Sequence, residues 1–235
     1  MPALRNSANH RDYIGARGFT LMELMVVVIL VGILAVMAIP SMGQAAVDRR
    51  VYQDTSQISD LIRAAKARAV GRGAAVLVAM DTSGRGKFMV RESVQPNPDG
   101  SGLNQVPRSA CKSPTNWTAV ASPTQYFDVA QVDLNGAFES TNKVSAIIYT
   151  DDGATIAAVT TAYLCFTPLG RTYFVSGTTA APSFLDGATP MTGALTIEVA
   201  QRPSVGATEG LIRRIVIPPS GVTRLTSGGA AIVPG

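Results

Sequence analysis

Residues Phe19–Ile39 form an apolar run, FTLMELMVVVILVGILAVMAI, in which Glu23 is the single ionisable side chain. A helix over that run is about 31 Å long, enough to cross the hydrocarbon core of a bilayer. A helix that is apolar on every side has to be covered on every side, by lipid or by other protein. The run therefore dictates an anchor, and the rest of the chain must fold around that fact.

What precedes the run bears on its fate. Residues 1–18 carry Arg5, Arg11 and Arg17 against Asp12, a basic leader that the positive-inside rule holds in the cytoplasm while the remainder is delivered to the opposite side. A secretory signal is cut after its apolar core, which is usually about 7 to 15 residues long. Here the apolar run is longer and the Gly18-Phe19 junction lies before it. Cleavage at that junction would discard residues 1–18 and leave the anchor on the mature chain.

Glu23 is the costly residue of the run. A carboxylate at the centre of a membrane helix costs about 2.5 to 3.5 kcal/mol and tends to persist where it finds a partner. Four residues after a new N-terminus it would lie near one bilayer face, where the helix dipole favours negative charge. Two readings stay open from the residues alone: an interfacial acid with no partner, or half of an ion pair.

The stretch Gly18-Phe19-Thr20-Leu21-Met22-Glu23 resembles the class III signal of type IV prepilins and type II secretion pseudopilins, in which Gly and Phe are followed by apolar or hydroxyl residues and then Glu. The resemblance implies cleavage after Gly18 by a membrane prepilin peptidase and N-methylation of Phe19. It also implies a salt bridge from Glu23 to the Phe19 amine of a neighbouring subunit during filament assembly. The fold it implies is the α+β type IV pilin-like one, a long N-terminal helix on an antiparallel β-sheet head. The location it implies is the bacterial inner membrane, with the N-terminus cytoplasmic and the head periplasmic, and then a fibre at the cell surface.

Beyond the anchor, Val47, Val51, Ile58, Ile62, Ala65 and Ala69 recur at helical spacing, which predicts an amphipathic second half of the same helix over residues 40–72. Pro40 lacks an N–H for the carbonyl of Val36 and Gly32 is a weak helix former, so a kink or loosened turn is expected there. Gly71-Arg72-Gly73 should cap the helix. Six basic residues (Arg49, Arg50, Arg63, Lys66, Arg68, Arg72) face three acids over 48–72. They are read as a solvated face, with contact to neighbouring subunits or phosphate as the alternative.

Residues 73–235 read as a β-rich head. Strands are expected at 74–80, 87–92, 125–132, 143–150, 162–167, 171–176, 194–200, 211–217 and 222–225, separated by turn residues. In 194–200 the alternation puts Leu195, Ile197 and Val199 on one face and Thr196 and Glu198 on the other. Residues 95–115 are expected as an exposed loop holding Cys111, and the last ten residues as loosely held. Cys111 and Cys165 are the chain's two cysteines. In an exported domain such an isolated pair is expected to form a disulfide, with two buried thiols as the alternative.

Three blocks, Asp60–Val70 with the strand after it, Leu164–Arg171 and Ile215–Arg224, are similar to the GspH/FimT pilin domain. That similarity implies a minor pilin which initiates or caps a fibre together with other major and minor pilins. The alternative it implies is a GspH-like minor pseudopilin of a type II secretion system. Some FimT-like pilins bind DNA through a C-terminal Gly-Arg-X-Arg. The comparable turn here is Gly221-Val222-Thr223-Arg224, without the first arginine, and Arg213, Arg214 and Arg224 are the candidate DNA contacts.

Chemistry of other kinds finds little support. The one histidine, His10, falls in the leader, so the mature chain offers neither a histidine-based catalytic triad nor a histidine-ligated metal. Asp151-Asp152 beside Gly153 reads as a turn, and Gly84-Arg85-Gly86 lacks the phosphate-loop fingerprint. No catalytic residue, metal or cofactor is expected.

Overall fold

The computed structural model describes residues 18–95, 106–111, 126–136, 142–151, 154–177, 189–201 and 209–228, with side chains 36–44, 154–158, 177, 209 and 210 outside the described set. Helix α1 spans Leu21–Arg72, and the chain divides into two compact units, residues 1–43 and 44–235.

In the first unit, Thr20 caps the helix. Its Oγ1 accepts the Glu23 backbone N–H at 3.2 Å, which satisfies one of the donors that every helix leaves open at its start. Thr20 and Glu23 hold the N-cap and N3 positions of a Thr-x-x-Glu capping box. Gly32 is exposed, and a Cβ there would meet nothing within 4 Å. Pro40 lies among residues 36–44, so the loosening expected of its ring falls outside the described side chains.

In the second unit the amphipathic reading of α1 is met. Val51, Ile58, Ile62, Ala65 and Ala69 are buried, and each large one contributes about 1.5 to 3 kcal/mol by leaving water. Helical geometry ends at Arg72, where Gly73 takes φ +67°, the left-handed cap that glycine adopts without a Cβ clash.

Two antiparallel sheets follow. The first is built on β1 (Val76–Asp81), β2 (Lys87–Gln95), β7 (Thr161–Phe166) and β8 (Thr172–Gly177). Its order is β3-β2-β1-β7-β8-β9, with β3 (Val106–Pro107) and β9 (Thr189–Pro190) at its ends. β4 (Tyr126–Asp133) shares the β3 side of β2. The second sheet runs β12-β11-β10-β5-β6. It is formed by β5 (Asn142–Asp151), β6 (Ala154–Val159), β10 (Ala194–Gln201), β11 (Glu209–Ile217) and β12 (Arg224–Gly228).

The main core lies between α1 and these sheets. Val76, Val78 and Met80 of β1 point into it with Leu164 and Phe166 of β7, and Ile197 and Ile215 come from the second sheet. Alternation along a strand sends the intervening residues to the opposite face. There Ala75, Leu77, Tyr163 and Cys165 build a smaller core with Cys111. Both faces of β1 are covered, which explains why residues 74–80 read as continuously apolar.

The Cys111–Cys165 bond sits in this second core with Cα atoms 6.0 Å apart. It closes a loop of 54 residues in sequence separation, worth about 4 kcal/mol in the chain-entropy account. The expected exposed loop over 95–115 is thereby corrected in its described parts. Val106-Pro107 pairs with Val94-Gln95, and Cys111 is buried at 2% exposure. The Ala75 N–H, donating to the Arg108 carbonyl at 2.6 Å, brings the segment onto the sheet. At the C-terminus, Thr226–Gly228 pair with β11, whereas residues 229–235 lie outside the described residues.

Candidate assembly site and the placement of the charged residues

At the N-terminal junction Gly18, Phe19 and Thr20 precede the first helical turn and are exposed. From Leu21 to Leu34 every large apolar side chain is solvent-facing, with Phe19 at 82% and Leu34 at 66%. Glu23 is exposed and makes no ion pair among the described residues. Among the described residues no helix is long and apolar enough to cross a membrane. The described apolar side chains stop at Ala35, whereas the run in the sequence continues to Ile39.

The head treats its acids differently. Glu92, in β2, is fully buried and is held by two arginines from the last turns of α1, Nε of Arg68 on Oε2 and Nε of Arg72 on Oε1, the latter at 3.1 Å. Charged hydrogen bonds on both oxygens offset the desolvation of the carboxylate. The pair thus fastens the end of the helix to the sheet.

The turn after β11 is fastened to the same helix. Arg63 donates through Nε to Thr223 Oγ1 at 2.7 Å and through its terminal nitrogen to the Thr223 carbonyl at 3.2 Å. Ser59 and Thr223 share a buried hydroxyl contact at 2.9 Å, and Lys66 donates to the Ser220 carbonyl. Gly221 makes the turn possible: its φ is +71°, and a Cβ there would meet Phe166 and Thr172. The solvated-face reading of the basic cluster is therefore corrected for Arg63, Lys66, Arg68 and Arg72, which are joints between helix and head.

Arg213, Arg214 and Arg224 do not gather on one face. Arg213 continues the core-facing row of Ile215 and Ile217 and lies over the Tyr52 ring of α1 at 5.7 Å. Arg214 has the opposite parity and pairs through Nε with Glu198 Oε1 at 2.6 Å. Arg224 is exposed on β12. Glu198, expected on the outer face, is fully buried. It lies directly across from Arg214 in the pairing of β10 with β11, so it keeps the face opposite to Ile197 and Ile215 and is buried there in an ion pair with Arg214.

Three of these placements escaped the sequence reading. The capping role of Thr20 was legible in Thr20-Leu21-Met22-Glu23. The burial of Glu92 and Glu198 was not, because their arginine partners are remote in the chain. Elsewhere, hydrogen bonding by the Asn135 backbone N–H holds the Asp133 carboxyl below the ordinary 3.8, and burial raises the Tyr163 hydroxyl above the ordinary 10.0. No group of three or more metal-ligating side chains occurs among the described residues. A concavity of about 450 Å³ lined by Gly73, Ala110, Cys111, Pro168, Leu169 and Tyr173 adjoins the disulfide.

Residues 15–39 match the family model of the prokaryotic N-terminal methylation motif. No curated protein and no solved structure matches the chain. The motif marks a type IV prepilin-like N-terminus, that of a pilin or pseudopilin. In general terms such a motif implies a prepilin peptidase and other pilin-like subunits as partners and a membrane-anchored stage.

Proposed function

We propose that this chain is a minor pilin of a type IV pilus, of the GspH/FimT kind, which helps initiate or cap the fibre. Its work is assembly rather than catalysis. The observation that carries this reading is the juxtaposition, in one capped helical turn, of a processing junction, an acid with no ion-pair partner among the described residues and an uncovered apolar helix. Each of the three is unfavourable in an isolated monomer. All three are resolved by cleavage after Gly18 and packing among like helices, with Glu23 neutralised by a neighbour's Phe19 amine. A GspH-like pseudopilin would use the same parts. Surface pili lost on deletion of the gene support the pilus, and protein secretion lost with pili intact supports the pseudopilin.

Glu23→Ala tests the pairing. Processing should proceed as in the parent, while recovery of the subunit in sheared fibres should fall by about tenfold, the equivalent of one ion pair worth about 1.4 kcal/mol. Equal incorporation of the variant would remove the salt bridge from the account. The DNA-receptor reading draws less support, because Arg213 and Arg214 face opposite sides of β11 and Arg214 is engaged by Glu198.

A further inference from the structure

After the arginines tied to the head are set aside, a small basic group remains at the start of the second unit. Arg49 and Arg50 are exposed and make no ion pair among the described residues. With Ala45, Ala46 and Gln53 they line a shallow concavity of about 450 Å³. One helical turn on, Tyr52 carries Arg213 over its ring at 5.7 Å, and the buried Nε of Arg213 has no hydrogen-bond acceptor among the described residues. The nearby acid, Asp48, is engaged: its Oδ1 accepts the Leu211 N–H at 3.3 Å. That bond and the Tyr52 contact dock the start of β11 on this part of the helix, which brings Arg213 to the same stretch of α1 that carries Arg49 and Arg50.

We propose that Arg49, Arg50 and Arg213 bind the phosphates of anionic phospholipids on the head side of the membrane, holding the subunit in the bilayer until it is taken into a fibre. Guanidinium groups suit this ligand, since they present forked donors that match phosphate oxygens. A lipid source is favoured over a nucleic acid by chain connectivity. Arg49 follows Ile39, the end of the apolar run, by only ten residues of chain, which tethers it close to the head-side lipid surface. The inference rests on the membrane-anchored reading given above. It adds a headgroup site to an anchor whose one ionisable side chain is Glu23, and each arginine near an anionic surface should strengthen the attraction by about fivefold.

The test uses the full chain in nanodiscs of phosphatidylcholine, with and without phosphatidylglycerol, and follows amide hydrogen exchange by mass spectrometry. Exchange over residues 45–53 should slow by about fivefold or more when phosphatidylglycerol is present. Arg49→Gln/Arg50→Gln/Arg213→Gln should abolish the slowing, and lysine at the same positions should retain most of it. Should Arg213→Gln loosen the head, visible as faster exchange at Val76–Met80, the Arg49→Gln/Arg50→Gln variant answers alone. Equal exchange in the two lipids, or slowing that survives that double substitution, overturns the inference. So does stronger protection by a DNA duplex added to phosphatidylcholine discs than by phosphatidylglycerol. Fast exchange at Leu21–Ala35 in either disc would overturn the anchor and this inference together, whereas slow exchange there with lipid-indifferent 45–53 overturns the inference only.

Discussion

Leu21–Ala35 and Val51–Ala69 are stretches of one helix, yet the first leaves every large apolar side chain exposed and the second buries Val51, Ile58 and Ile62 completely. The acids show the same contrast. Glu92 has two arginines of its own chain, while Glu23 has no ion-pair partner among the described residues. Where the chain supplies the covering surface, the helix is amphipathic and its charges are neutralised internally. Where it does not, the side chains specify an environment still to be met, either lipid or other copies of the same kind of helix.

Substitutions in the two stretches should separate these roles. Ile62→Ala should destabilise the head by about 2 to 5 kcal/mol, since it removes a fully buried side chain and leaves a cavity. Ile29→Ala should leave the head's unfolding midpoint unchanged and act only on membrane retention or fibre yield. Denaturant unfolding of the two variants in detergent checks this, and a comparable loss of head stability from Ile29→Ala would erase the contrast.

A smaller effect is expected from the acids. Glu92→Ala should cost the head about 1 to 3 kcal/mol, because both arginines lose their buried acceptor but are themselves exposed enough to recover water. Glu23→Ala should cost the head nothing by the same measurement. If the two glutamates gave equal losses, Glu23 would have to be a fold residue and not an assembly residue.

Much of this contrast was legible in the sequence, since it is written in spacing. The apolar run, the three-to-four periodicity from Val47 to Ala69, the glycine cap at Gly73, the continuously apolar β1 and the alternation of β10 all follow from local chemistry. The hairpin of β1 and β2 is equally local, although its second strand extends beyond the expected end to Gln95. What escaped depends on distant partners. Arg68 and Arg72 look like solvent charges until β2 brings Glu92 beneath them. Glu198 looks like a solvent-facing acid until β11 brings Arg214 across from it. β6 and the short β3 and β9 carry too few residues of clear alternation to announce themselves, and they form because a neighbouring strand offers an edge. At the N-terminus the methylation motif is local and complete, so it could be read directly. The identity of the head's partners is not encoded in any comparable short pattern.

The central claim is that the apolar helix survives maturation with a new amino end at Phe19. Intact-mass and N-terminal fragment spectrometry of the protein purified from membranes tests it directly. The account predicts a chain that begins at N-methylated Phe19, lacking residues 1–18. A chain that retained Met1–Gly18, or one cut after Ile39 so that the anchor was lost, would contradict it.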